Sequence, residues 1–142
     1  MSGRFFLDTN VFVYEFDLNE PSKSKHASRL VRSAIVSQRG VISYQVVQEF
    51  LNVAFKKFAK PLPAREAESY FLSILKPLLA VHSSPRLFLD AMRLRDENRL
   101  SWYDSLLIAA ALESGCEVLY SEDLQSGRTV EGLRIEDPFA GF

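Results

Sequence analysis

Residues 5–13 read FFLDTNVFV. Three apolar residues, Phe5 to Leu7, run straight into Asp8, Thr9 and Asn10, and the hydrophobicity resumes at once with Val11, Phe12 and Val13. A short apolar run of this kind reads as a buried strand, here over residues 4–8, and the resumption reads as a short helix over residues 9–16. A carboxylate beside a core costs several kcal/mol unless something pairs with it. Asp8 is therefore either the cap of that helix or a group that waits for a cation.

The elements beyond this point alternate. Residues 21–37 form a helix with Leu30, Val31, Ala34 and Ile35 inside and Lys25, Arg29 and Arg32 outside. Gly40 breaks the chain before a short strand at 41–43. Residues 44–59 form a helix that Pro61 and Pro63 end, and residues 64–75 form another. A strand at 79–82 precedes a helix that Ser84 caps and Pro85 opens, running to about residue 98. Residues 101–114 are helical and apolar on nearly every side, which marks a buried helix. Gly115 ends it, EVLYS (117–121) is a buried strand, and a weaker strand falls at 134–136. Strands alternating with helices imply one α/β domain over residues 1–142, with a mostly parallel sheet covered on both faces. Ligands of such sheets bind outside the carboxyl ends of the strands.

Four acids stand in costly places. Asp8 and Asp123 each follow a strand. Glu49 lies at the border of the apolar half of its helix, beside Val53 and flanked by Gln45, Asn52 and Lys56. Asp104 opens the most buried helix. Each has a simpler explanation alone: Asp8 as an N-cap, Asp123 as a turn residue, Glu49 as an ordinary border residue, and Ser101-x-x-Asp104 as a capping box. Together they point elsewhere. Two carboxylates about 4 Å apart repel by roughly 4 kcal/mol at an effective dielectric near 20, so converging acids need a counter-charge. Oxygen ligands alone suit Mg²⁺ or Mn²⁺. No His/Cys cluster for zinc exists, and His26 and His82 read as structural. An acidic magnesium site without other reactive side chains points to phosphoryl chemistry.

The motifs resemble the PIN-domain family and, within it, the VapC-like toxins of bacterial toxin–antitoxin pairs. FFLDTNVFVY is similar to the family's first motif, VVQEFLNV carries its second acid at Glu49, and LSWYDSLLIAAALESGCEVLYSEDLQSG carries the third and fourth at Asp104 and Asp123. Residues 60–100 carry no family motif. The resemblance implies a three-layer α/β/α fold and a Mg²⁺- or Mn²⁺-dependent ribonuclease. Asp8, Glu49, Asp104 and Asp123 would hold one or two ions, which activate water for attack on phosphorus and leave a 5′-phosphate product. Thr9, Asn10, Ser121 and Glu122 are the expected supports of those acids. It also implies an RNA substrate, a small antitoxin partner and a homodimer.

Net charge is −1, which alone argues neither for nor against nucleic acid, but residues 1–65 hold ten Lys/Arg against five Asp/Glu and residues 66–142 hold seven against thirteen. That split suits a polyanion and a metal or, more simply, two differently decorated solvent faces. Arg29, Arg32, Lys56, Lys57 and Lys60 are the candidate RNA contacts, with Lys56 one turn beyond Asn52 on the Glu49 side. No apolar run is long enough to span a membrane. The start MSGRFFLD reaches a charge before a signal-peptide core, and the lone Cys116 permits no intrachain disulfide, so a cytoplasmic location is expected.

Other readings fare worse. A haloacid-dehalogenase-type phosphatase wants a second Asp where Asn10 stands. A phospho-receiver needs a late lysine, and the last one here is Lys76. No G-x-G-x-x-G follows the first strand, which removes dinucleotide binding. The remaining alternative is a domain of this fold that binds RNA or a partner without cutting; the presence of all four acids argues against it.

Overall fold

The computed structural model describes residues 3–142. Its sheet has six strands in the order β3-β2-β1-β4-β6-β5: β1 (Arg4–Leu7), β2 (Gly40–Ser43), β3 (Leu79–Val81), β4 (Cys116–Tyr120), β5 (Thr129–Val130) and β6 (Leu133–Glu136). Every pairing is parallel except the final β5–β6 pair. The helices are α1 (Thr9–Tyr14), α2 (Pro21–Ser37), α3 (Tyr44–Lys56), α4 (Ala64–Tyr70), α5 (Lys76–Leu78), α6 (Pro85–Asn98) and α7 (Trp102–Glu113). The result is the mostly parallel α/β/α arrangement that the alternation implies.

The topology follows from crossover handedness. The chain steps outward from β1 to β2 to β3, then returns over both to β4 on the far side of β1. Right-handed crossovers put the outward helices on one face and α6–α7 on the other. In keeping with this, α7 packs on β2 and β4, while α2 packs on β2. The strand order reverses between β1 and β4, and in sheets of this kind ligands bind at the carboxyl edge of such a switch point.

Packing fixes the helices that matter for that edge. Phe50 of α3 is fully buried and its ring meets Phe12 at 6.4 Å, Phe16 at 5.9 Å, Phe58 at 6.2 Å and Tyr70 at 5.0 Å. This one side chain locks α1, α3 and α4 together. Helix α7 is buried from Ser105 to Ala111, as its uniform hydrophobicity requires. Gly40 lets β2 start against α2, because a Cβ there would lie 2.2 Å from the Ala34 side chain.

Most boundaries shift by one or two residues from the sequence reading; α1 stops at Tyr14, and β4 runs Cys116–Tyr120, which leaves Ser121 just past its end. Asp8 lies just outside β1. Helix α3 stops at Lys56 because the Lys57 and Phe58 amides both donate to the Val53 carbonyl and Leu62 turns back to that of Ala54. The helix expected over 64–75 opens into a π turn (Phe71–Leu75). Pro77 lacks the N–H that the Ser73 carbonyl needs and its ring crowds that carbonyl, so the preceding turn widens. Strand β5 was not expected at all.

Candidate metal centre at the carboxyl edge

Because β1 and β4 are parallel neighbours with Leu7 opposite Tyr120, the residues that follow them emerge side by side. The Asp8 amide donates to the Tyr120 carbonyl at 3.0 Å, and the Ser121 hydroxyl donates to Asp8 Oδ2 at 2.7 Å. Asp8 is also the N-cap of α1, its Oδ1 accepting from the Thr9 amide at 2.7 Å. The cap thus takes one carboxylate oxygen and the bond from Ser121 the other.

The other acids arrive by the same logic. Helix α3 leaves the end of β2 and brings Glu49 back toward β1, where the Thr9 hydroxyl donates to Glu49 Oε1 at 2.8 Å. Asp123 follows β4 and accepts from Asn10 Nδ2 at 2.8 Å. Helix α7 leads into parallel β4, so it starts at the carboxyl edge, with Asp104 in its first turn. Ser101 Oγ accepts from the Asp104 amide at 3.2 Å, but the reciprocal bond of a capping box is missing. Among the described residues the Asp104 carboxylate makes no hydrogen bond or ion pair. Capping explains why α7 starts there; it does not explain why residue 104 is an acid.

Electrostatics sets Asp8 apart. It is 8% exposed. Burial pushes its carboxyl up to about 6, and the Glu49 and Asp123 carboxylates add to the rise. The bonds from Ser121 and the Thr9 amide pull the other way. No cation among the described residues is paired with Asp8, Glu49, Asp104 or Asp123.

Asp8, Glu49 and Asp123 thus form one electrostatic group, while Asp104 stands apart from it, its helix linked to α3 by Gln45. The buried Gln45 amide donates to the Tyr103 carbonyl at 3.2 Å and lies 3.5 Å from Glu49 Oε2, tying α3 to the first turn of α7. Among the described residues no three acidic, imidazole or thiol side chains are already gathered into a ligand shell. The donor chemistry still suits a hard divalent ion. Mg²⁺ keeps several of its waters and is typically held by one or two carboxylates, so an open acidic edge fits it better than a closed cage would.

Of the expected supports, Thr9, Asn10 and Ser121 each hold a different acid. Glu122 does something else: it accepts from the Tyr14 hydroxyl at 2.7 Å and from Lys23 Nζ at 3.1 Å. Lys23, Tyr14 and Gln45 were not singled out by the sequence. Only Gln45 left a trace there, as a polar neighbour one turn before Glu49. The candidate RNA contacts Arg29, Arg32, Lys56, Lys57 and Lys60 are all exposed, and none forms an ion pair among the described residues. Arg29 and Arg32 stand on α2, where Arg32 rims a cavity of about 300 Å³ shared with Glu15 and Ile74. Lys56, Lys57 and Lys60 cluster where α3 ends.

A mostly parallel sheet covered by helices, with acids at its switch point, places those acids where α/β/α domains bind their ligands. The chain belongs to the PIN domain family, whose model matches residues 5–130. No curated protein matches the chain. Solved structures of the same fold include a DNA-bound VapBC from Salmonella typhimurium, 24% identical with a TM-score of 0.66 over 96% of this chain and 98% of that one. A toxin–antitoxin complex from Klebsiella pneumoniae is 18% identical, with a TM-score of 0.65 over 94% and 97%. The sarcin-ricin-loop-cleaving toxin VapC20 of Mycobacterium tuberculosis is 19% identical, with a TM-score of 0.59 over 84% and 89%. Among the described residues no helix is long and apolar enough to cross a membrane.

Proposed function

We propose that the protein is a divalent-metal-dependent endoribonuclease, the toxin of a toxin–antitoxin pair, with Asp8, Glu49, Asp104 and Asp123 as its Mg²⁺ or Mn²⁺ ligands. The observation that carries this reading is the buried Asp8 carboxylate at the switch point. Burial and two neighbouring acids raise it, and no cation among the described residues pairs with it. Such an arrangement is stable only when a cation or a proton is supplied.

When bound, the ion polarises a phosphodiester and activates water, which leaves the protein no need of a side-chain nucleophile. The chain's own part is to aim and charge the ligands. Ser121 and the Thr9 amide orient Asp8, the Thr9 hydroxyl orients Glu49, and Asn10 orients Asp123. Lys56, Lys57 and Lys60 are free to meet RNA phosphates. Membership of the PIN family supports the nuclease reading. The toxin–antitoxin neighbours support a small antitoxin as partner; a homodimer and a cytoplasmic location complete the proposal.

The test is cleavage of total RNA with Mg²⁺, with Mn²⁺ and with chelator. The expected result is metal-dependent cleavage giving 5′-phosphate ends. RNA binding without cleavage in either metal would favour a non-catalytic module.

A further inference from the structure

We propose that Lys23 and Tyr14 are positioning residues that set Asp123 through Glu122. This rests on the reading of the acidic edge as a metal centre and adds to it two residues on elements remote from β4.

Three consecutive residues after β4 are each held from a different direction. Ser121 Oγ donates to Asp8 Oδ2 at 2.7 Å and accepts from the Leu124 amide at 3.2 Å. Glu122 accepts from the Tyr14 hydroxyl at 2.7 Å and from Lys23 Nζ at 3.1 Å. Asp123 accepts from Asn10 at 2.8 Å. A tripeptide satisfies three such anchors only over a narrow range of backbone angles. Asp123 itself is exposed and has a single bond, from the neutral amide of Asn10, so its neighbours decide where its carboxylate stands.

The Glu122 anchor is the one of the three that carries a cation. It is a charge-assisted pair with only 18% and 25% of the two side chains exposed. Lys23 Nζ also reaches the Tyr14 oxygen at 3.3 Å and lies 5.0 Å from the Tyr14 ring centre. The Tyr14 ring packs on Phe139 at 4.6 Å, which stops the assembly from swinging. The pairing has a second consequence. A free Glu122 would be a fifth carboxylate next to the group and would compete for the ion; Lys23 neutralises it and draws it toward α1 and α2.

The test separates position from charge. Lys23→Met/Glu122→Leu removes the whole clamp and keeps the net charge, while Lys23→Arg preserves the pair. Mn²⁺ affinity is read by electron paramagnetic resonance, with urea stability measured in parallel and Asp8→Asn as control. The expected result is about ten- to hundredfold weaker Mn²⁺ binding in the folded double variant, near-wild-type binding in Lys23→Arg, and loss of binding in Asp8→Asn. Wild-type affinity in the double variant, with Asp8→Asn still deficient, would overturn the positioning role and leave the centre standing. Wild-type affinity in Asp8→Asn would remove the centre and the proposal with it.

Discussion

The Thr9 hydroxyl donates to Glu49 Oε1 at 2.8 Å across a sequence separation of 40 residues, and the amide of the same residue donates to Asp8 at 2.7 Å. One residue thus fixes two acids relative to each other. Thr9 is itself buried, so neither bond is traded easily for water. Thr9→Val keeps the shape and the amide but deletes the hydroxyl. Urea unfolding should show a loss of about 1 kcal/mol, the net worth of a typical hydrogen bond. Mn²⁺ affinity should fall by about tenfold or more, as for other groups that orient metal ligands.

Asp8 should make the metal-free protein less stable as pH rises. Burial pushes its carboxyl up to about 6 in the folded state, against an ordinary value of 3.8. Between these values the folded state binds more protons, so the Asp8 contribution is fully present below 3.8 and is lost as pH rises through about 6. A shift of this size corresponds to about 3 kcal/mol, as an order of magnitude. The comparison that isolates it is wild type against Asp8→Asn at pH 4 and pH 7.5 without metal. The variant should gain on the wild type with rising pH; a difference that does not change with pH would contradict the assignment.

The same proton competes with the metal. Mn²⁺ affinity, measured by calorimetric titration, should weaken by about tenfold per pH unit below about pH 6, because the ligand must be deprotonated. It should be nearly flat above pH 7.

Lys56, Lys57 and Lys60, exposed and without an ion pair among the described residues, should supply salt-sensitive affinity for RNA. Replacing one that contacts a phosphate should lower the slope of log K against log salt by about 0.7 for a single strand. Lys23 should behave differently, since its charge is already committed to Glu122. Filter binding of a catalytically inactive Asp8→Asn background over a salt series measures this.

The features legible in the sequence share a cause: each depends on local pattern. The apolar run before Asp8, the uniformly buried α7 and the proline-opened α6 announce themselves within a dozen residues. The four acids each fit an ordinary local pattern alone and were visible only as a set, whose order resembles that of one family. Strand β5 has two residues and leaves no period to detect. The π turn needs Pro77 to act back on a carbonyl four residues earlier. The clamp around Glu122 joins residues 99 and 108 positions apart, so only the folded chain brings Lys23 and Tyr14 to it. Gln45 is similar: its polarity was apparent, but not the Tyr103 carbonyl, 58 residues on, that it holds.

Asp104 offers the most direct test of the account. Its amide serves the cap of α7, but its carboxylate serves no contact within the described residues. Asp104→Asn should therefore fold and unfold like the wild type. RNA cleavage in Mg²⁺, measured on the purified variant, should nevertheless fall by at least about a hundredfold. An Asp104→Asn protein that cuts RNA at the wild-type rate would contradict the claim that these four acids act as one metal centre.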